Sequence, residues 1–206
     1  MIELITEPSK RKIGTNRRSL TGWVSTKNNG MVAFESSLER DFVILVDYDK
    51  QLKSIKSQPL TVKYKDSDGE TKRYTPDYLI EYDRYTPILC EIKYRQDLLE
   101  QKAEILSDLR VAINLCKERG WIYRIITEGK IRKGYILRNI DFVRGYMDMV
   151  PNEETVDHLI SKLSTIGKTR LQNLIEMSFD TKESRINSIS TLWHLIASGR
   201  IYIDFN

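Results

Sequence analysis

Tyr74-Thr75-Pro76-Asp77-Tyr78-Leu79-Ile80-Glu81-Tyr82, a short turn, and then Ile88-Leu89-Cys90-Glu91-Ile92-Lys93-Tyr94-Arg95 decide how the chain folds. Side chains alternate between the two faces of a strand, so Ile88, Cys90 and Ile92 point one way while Leu89, Glu91 and Lys93 point the other. An acid and a base therefore project together from an otherwise apolar strand. Pro76 lacks the N–H a ladder needs and sits best at a strand start, which puts Asp77 at the first pleat of its strand. If the two strands pair, Asp77 approaches Glu91.

Two carboxylates and a lysine converging at a sheet edge suit a hard divalent cation. Mg²⁺ takes one or two protein carboxylates and fills its shell with water and phosphate oxygens. The ammonium is left for a phosphate or a water, and the substrate implied is a phosphodiester. In this reading Asp77 and Glu91 hold the ion with the backbone carbonyl of Ile92, and Glu39 completes the site or holds a second ion. Lys93 orients the attacking water and offsets charge growing on the phosphate. Each residue also has a bland explanation. Asp77 reads equally as a solvated strand start, Glu91 and Lys93 as a surface pair, and Glu39 as the N3 member of a capping box opened by Ser36. Their combination in one scheme favours the site.

Outward from this stretch, Leu38, Phe42 and Leu45 recur at helical spacing on a helix from Ser36 to about Asp49. Residues 60–65 alternate as a strand, and Asp66-Ser67-Asp68-Gly69 turns them into a partner strand at 71–74. A helix over 98–119 ends at Gly120 and is long enough to cross over to a parallel strand, Trp121 to Thr127. The fold class is α/β, a mixed sheet flanked by helices. Residues 1–33 read as an arm with Trp23 and Val24 as its anchor. Pro151 marks a boundary, after which three helical patterns (153–163, 167–177, 184–198) close on an alternating segment, Arg200 to Phe205. That arrangement reads as a winged-helix-like module. The expected division is a basic arm (1–33), a catalytic core (34–150) and a small C-terminal domain (151–206).

The net charge of +4 is unevenly spread, because residues 1–30 hold six Lys and Arg against two Glu and the remainder balances. Lys10, Arg11, Lys12, Arg17 and Arg18 can lie along DNA phosphates and gain affinity through counterion release. Residues 151–206 hold six basic and seven acidic residues, which favours a protein contact over duplex binding there. No apolar run is long enough to span a bilayer, and the acidic N-terminus does not read as a signal peptide. An intracellular, cytoplasmic location follows. Cys90 and Cys116 have no ligand-spaced companions and read as core thiols. Gly167-Lys168-Thr169 lacks the glycine spacing of a phosphate loop and reads as an interhelical turn.

Pro76-Asp77 followed fourteen residues on by Glu91-Ile92-Lys93 resembles the PD-(D/E)xK nuclease motif. With Phe34-Glu35-Ser36-Ser37-Leu38-Glu39-Arg40-Asp41 upstream and Gln58-Pro59 between, the chain resembles the TnsA family, the endonuclease subunit of heteromeric DNA transposases. The resemblance implies a restriction-endonuclease-like core. It also implies a Mg²⁺-dependent endonuclease, with two ions and Mn²⁺ able to substitute, that cuts the 5′ ends of a transposon in double-stranded DNA. It implies partners: a DDE-type strand-transferase that handles the 3′ ends and an ATP-dependent regulator of transposition, in a prokaryotic, nucleoid-associated setting. Two other functions fit the same residues. One is a restriction or repair nuclease on the same fold. The other is a noncatalytic adaptor bridging transferase and regulator, although a relic pocket has no physical reason to keep carboxylates in mutual repulsion.

Overall fold

The computed structural model describes residues 5–8, 20–66, 69–100 and 102–205. The chain divides into two compact units, Met1–Leu137 and Arg138–Asn206. Lys10, Arg11, Lys12, Arg17 and Arg18, expected to meet DNA, lie outside the described residues.

The centre of the first unit is a four-stranded sheet in the order β4-β7-β8-β9, formed by Leu52–Ser57, Tyr78–Tyr82, Tyr85–Ile92 and Ile122–Ile126. The first three strands are antiparallel, while β8 and β9 run parallel with Leu89 opposite Tyr123 and Glu91 opposite Ile125. A parallel pair needs a crossover. Helices α2 (Arg95–Glu100) and α3 (Lys102–Arg119) supply it, two helices where a single one over 98–119 is expected. The Trp121 N–H reaches back to the Cys116 carbonyl at 2.8 Å around Gly120, whose φ of +67° only glycine adopts freely.

A smaller sheet, β1-β5-β6 (Ile5–Glu7, Thr61–Lys65, Thr71–Tyr74), contains the expected hairpin. Val62, Tyr64 and Tyr74 from this sheet share a core with Leu79 and Leu89 of the central sheet and with Val111, Ala112, Leu115 and Cys116 of α3. Helix α1 (Ser37–Asp47) carries the expected apolar stripe, and Phe42 packs on Tyr78 of β7 with ring centroids 5.5 Å apart.

Residues 22–33, expected to belong to an arm without sustained periodicity, instead pair within a hairpin of β2 (Gly22–Thr26) and β3 (Gly30–Phe34). Val24, Val32 and Phe34 turn inward, whereas Trp23, the other expected anchor, is 59% exposed. The turn closes through the Thr26 hydroxyl, which donates to the Gly30 carbonyl at 2.7 Å and accepts from the Asn29 N–H at 3.1 Å. Gly30 takes the positive φ that the turn requires.

The first unit also contains α4 (Glu128–Ile131), and α5 (Ile136–Arg144) runs across the division between the units. The second unit adds α6 (Glu153–Ile166), α7 (Leu171–Ser178) and α8 (Lys182–Ala197). The division falls at 137/138 because Val143 of α5 is buried with Val156, Leu159, Leu174 and Leu195, and Tyr146 and Met147 pack on the same core. Residues 200–205 do not form the strand expected of a winged helix. A strand needs a ladder partner, and the described part of this unit is helical. Ile201 is buried instead, its N–H donating to the Leu195 carbonyl at 3.0 Å, and Ile203 and Phe205 lie against the helices.

Candidate active site

The site forms where β7 begins and β8 ends. The last paired residues of these strands are Tyr78 and Cys90. One step further along the same register Asp77 faces Glu91, where the ladder has opened. The Asp77 side chain fills the gap, its Oδ2 accepting the Ile92 N–H at 2.7 Å. On the other flank the Asp77 carbonyl accepts the Gln58 N–H at 2.7 Å. Gln58 holds a positive φ of 44°, costly for a residue with a side chain. It thus meets the site through its backbone.

Glu91 is buried and each of its oxygens has a partner. Oε1 lies 3.0 Å from the Lys93 ammonium, and Oε2 accepts the Tyr74 hydroxyl at 2.8 Å. Glu91 and Lys93 share a strand face as their spacing requires, and that face closes over the core beneath α3.

Glu39 is both a cap and a neighbour of this pocket. The Ser36 hydroxyl accepts the Glu39 N–H at 3.1 Å and donates to Glu39 Oε1 at 3.0 Å, while Glu39 Oε2 accepts the Glu35 N–H at 2.9 Å. This is a capping box shifted by one residue, because the carboxylate bonds the N–H before the cap instead of the cap's own. The Tyr78 hydroxyl donates to the Ala33 carbonyl at 2.8 Å and lies 3.4 Å from Glu39 Oε2.

Electrostatics joins these groups. Burial raises Asp77 well above the usual carboxylate range and the Glu91 charge raises it further, with Lys93 opposing and Glu39 adding to the rise. Burial likewise raises Glu39, which the Glu35 and Ser36 hydrogen bonds and the Lys93 charge partly offset. Burial alone would lower Lys93, but Glu91, Asp77 and Glu39 together hold it above its ordinary value. Burial also pushes the Tyr74 phenol far up, helped by Glu91, so it remains a donor.

Among the described residues, no group of three or more His, Cys, Asp or Glu is gathered as a metal cage. The donors present fit a different kind of site. Asp77 and Glu91 are hard oxygen donors in a buried pocket where like charge is a burden, and Mg²⁺ needs only one or two carboxylates. In an extended strand the N–H and C=O of one residue point to the same flank. With its N–H on Asp77, the Ile92 carbonyl faces that flank too.

Three groups at this site escape a reading of the sequence alone. Tyr74 stands within the opening stretch, yet nothing in its strand pattern shows its hydroxyl meeting Glu91. Tyr123 lies 3.3 Å from the Tyr74 hydroxyl. Arg132 ties α1 to the segment after Lys93, donating to Asp41 Oδ2 at 2.8 Å, the Tyr94 hydroxyl at 3.3 Å and the Ser37 hydroxyl at 3.2 Å.

A mixed sheet flanked by helices, bearing an Asp, a Glu and a Lys where two of its strands open, places the protein in the class of restriction-endonuclease-like nucleases. Comparison with protein families gives two matches, described as TnsA-like endonuclease N terminal over residues 49–128 and TnsA endonuclease C terminal over residues 131–205. The chain belongs to the TnsA family and is an endonuclease component of a transposase. The first match spans Asp77, Glu91 and Lys93 and begins after Glu39. No curated protein matches the chain significantly. Among the described residues no helix is long and apolar enough to cross a membrane.

Proposed function

We propose that this chain cuts the 5′ ends of a transposon in double-stranded DNA, hydrolysing a phosphodiester with a divalent cation held by Asp77, Glu91 and the Ile92 carbonyl. The observation that carries this reading is the meeting of Asp77, Glu91 and Lys93 at one strand opening, with opposite charges 3.0 Å apart at its centre. When bound, Mg²⁺, or Mn²⁺ in its place, supplies Lewis-acid stabilisation of the phosphate and a more acidic water.

The chain's own residues divide the remaining work. Asp77 and Glu91 provide oxygen ligands, and Glu39 lies close enough in the same field to bias the pocket or support a second ion. Lys93 is positively charged at neutral pH and orients the attacking water, while countering charge that develops on the phosphate. The basic arm, with Lys10, Arg11, Lys12, Arg17 and Arg18, lies along DNA phosphates and adds salt-sensitive affinity. The helical second unit, nearly neutral in charge, meets a partner: a DDE-type strand-transferase or an ATP-dependent regulator. The setting is the cytoplasm, at the nucleoid.

The test is a nicking assay on transposon-end DNA, with and without the strand-transferase subunit, in Mg²⁺ and in EDTA. The expected product is a metal-dependent break on the 5′ strand. Cleavage of the 3′ strand alone, or cleavage that persists in Asp77→Ala or Glu91→Ala proteins, overturns the reading.

A further inference from the structure

Tyr74 lies at the end of β6, opposite Val62 in the small sheet, and is only 4% exposed. A phenylalanine would fill that space equally well, so packing does not account for the hydroxyl. A buried hydroxyl without a partner is costly, and this one has two. It donates to Glu91 Oε2 at 2.8 Å and lies 3.3 Å from the Tyr123 hydroxyl. Proton counting fixes the direction. A carboxylate only accepts, so the single Tyr74 proton goes to Glu91 and the Tyr123 proton goes to Tyr74. Donors aligned in this way polarise one another.

We propose that Tyr74 is a positioning residue that sets Glu91 for divalent-cation binding. The proposal rests on the metal-dependent nuclease reading. A glutamate side chain ends in a soft torsion, so its carboxylate plane is easily turned. Here Tyr74 holds one oxygen and Lys93 the other. Each oxygen keeps lone-pair capacity for a cation, and the plane is fixed before the cation arrives. The hydroxyl also links the small sheet to β8, so the placement of β6 reaches the site through one hydrogen bond.

The experiment is calorimetric titration of the full-length protein with Mn²⁺ alone, with no DNA present. The variants are Tyr74→Phe, Tyr123→Phe and Glu91→Gln, each first shown to unfold cooperatively in EDTA. Loss of an outer hydrogen bond to a ligand typically weakens metal affinity about 10- to 100-fold. Tyr74→Phe is expected to show about a tenfold loss, with cleavage largely recovered at saturating Mg²⁺. Tyr123→Phe, which leaves both Glu91 partners in place, is expected to change affinity by less than about threefold on the same scale. Should Tyr74→Phe fold poorly, 4-fluorophenylalanine at position 74 keeps the ring and its bulk while removing the donor. Wild-type Mn²⁺ affinity without the donor, when Glu91→Gln has lost binding, overturns the role of Tyr74 and leaves the nuclease reading intact. Wild-type affinity in Glu91→Gln overturns both.

Discussion

The Asp77 carboxylate accepts the Ile92 N–H at 2.7 Å, across the point where the β7–β8 ladder ends. One oxygen of a ligand candidate thus does the work of a missing backbone acceptor. Asn at this position can accept the same N–H through its amide oxygen, so Asp77→Asn removes charge without removing the bond.

Stability should therefore respond to pH in a defined direction. Burial, then Glu91, raises Asp77 above its ordinary value of 3.8, Glu39 adds to the rise and Lys93 opposes it. The native state holds this proton to higher pH than the unfolded chain does, so native stability falls as pH rises from the ordinary range through the raised value. In EDTA at about pH 7, Asp77→Asn is expected to melt at a higher temperature than wild type and to cleave no DNA. The difference should close as pH falls to about 4. Melting curves across this range check it, and a variant that melts lower at neutral pH contradicts the assigned strain.

Lys93 lies 3.0 Å from Glu91 Oε1, so it competes with any cation for that oxygen while serving the reaction. Lys93→Met removes the competitor together with the positive charge at the phosphate. Cleavage is expected to fall about 10²- to 10³-fold, the usual cost of losing one group aimed at developing charge. Mn²⁺ affinity should fall by no more than about tenfold, because relief of the competition offsets the loss of one of the two groups that hold the Glu91 carboxylate. A parallel loss of metal affinity would make Lys93 a structural prop.

Glu39 has two roles that substitution can separate. Glutamine also serves a capping box, so Glu39→Gln should keep the helix start and lose the charge that reaches Asp77. The expected result is a neutral-pH stability equal to or above that of wild type, because the substitution removes a charge that burial disfavours, with reduced cleavage. Ser36→Ala removes the cap and should cost about 1 kcal/mol, with cleavage affected less. Full cleavage by Glu39→Gln reduces Glu39 to a cap.

The parts of this fold legible in the sequence are those written in local pattern. Pro76 places Asp77, the alternation of Ile88 to Lys93 places Glu91 beside Lys93, and Ser36 marks the start of α1. The hairpin of residues 22–34 is also signalled, by Asn29-Gly30 between Val24 and Val32, but the basic residues ahead of it and the lone Trp23 suggest an arm. Tyr74 and Arg132 are out of reach for a different reason. Their partners Glu91, Asp41 and Ser37 lie 17 to 95 residues away, and such pairings exist only once the sheets and helices have packed. At residues 200–205 the local alternation is genuine but misleading. Ile201, Ile203 and Phe205 cover a helical core, and without a neighbouring strand that pattern builds no ladder.

Arg132 supplies the last test, because an arginine near a phosphodiester site suggests a grip on DNA. Its guanidinium is already engaged by Asp41, Tyr94 and Ser37, and its Cζ lies 5.7 Å from the Tyr94 ring centre. These bonds clamp α1, which carries Glu39, to the segment that follows Lys93. Lysine keeps the charge but cannot reproduce a planar fork of donors. Arg132→Lys is therefore expected to lower stability by about 1 kcal/mol, discounted for a side chain still partly in solvent, and to reduce cleavage by loosening α1. The salt dependence of DNA binding separates the two roles. If Arg132 binds a phosphate, Arg132→Gln, which removes the charge, reduces the slope of log affinity against log salt by about one, whereas a strut leaves that slope unchanged and lowers only the melting temperature and the rate.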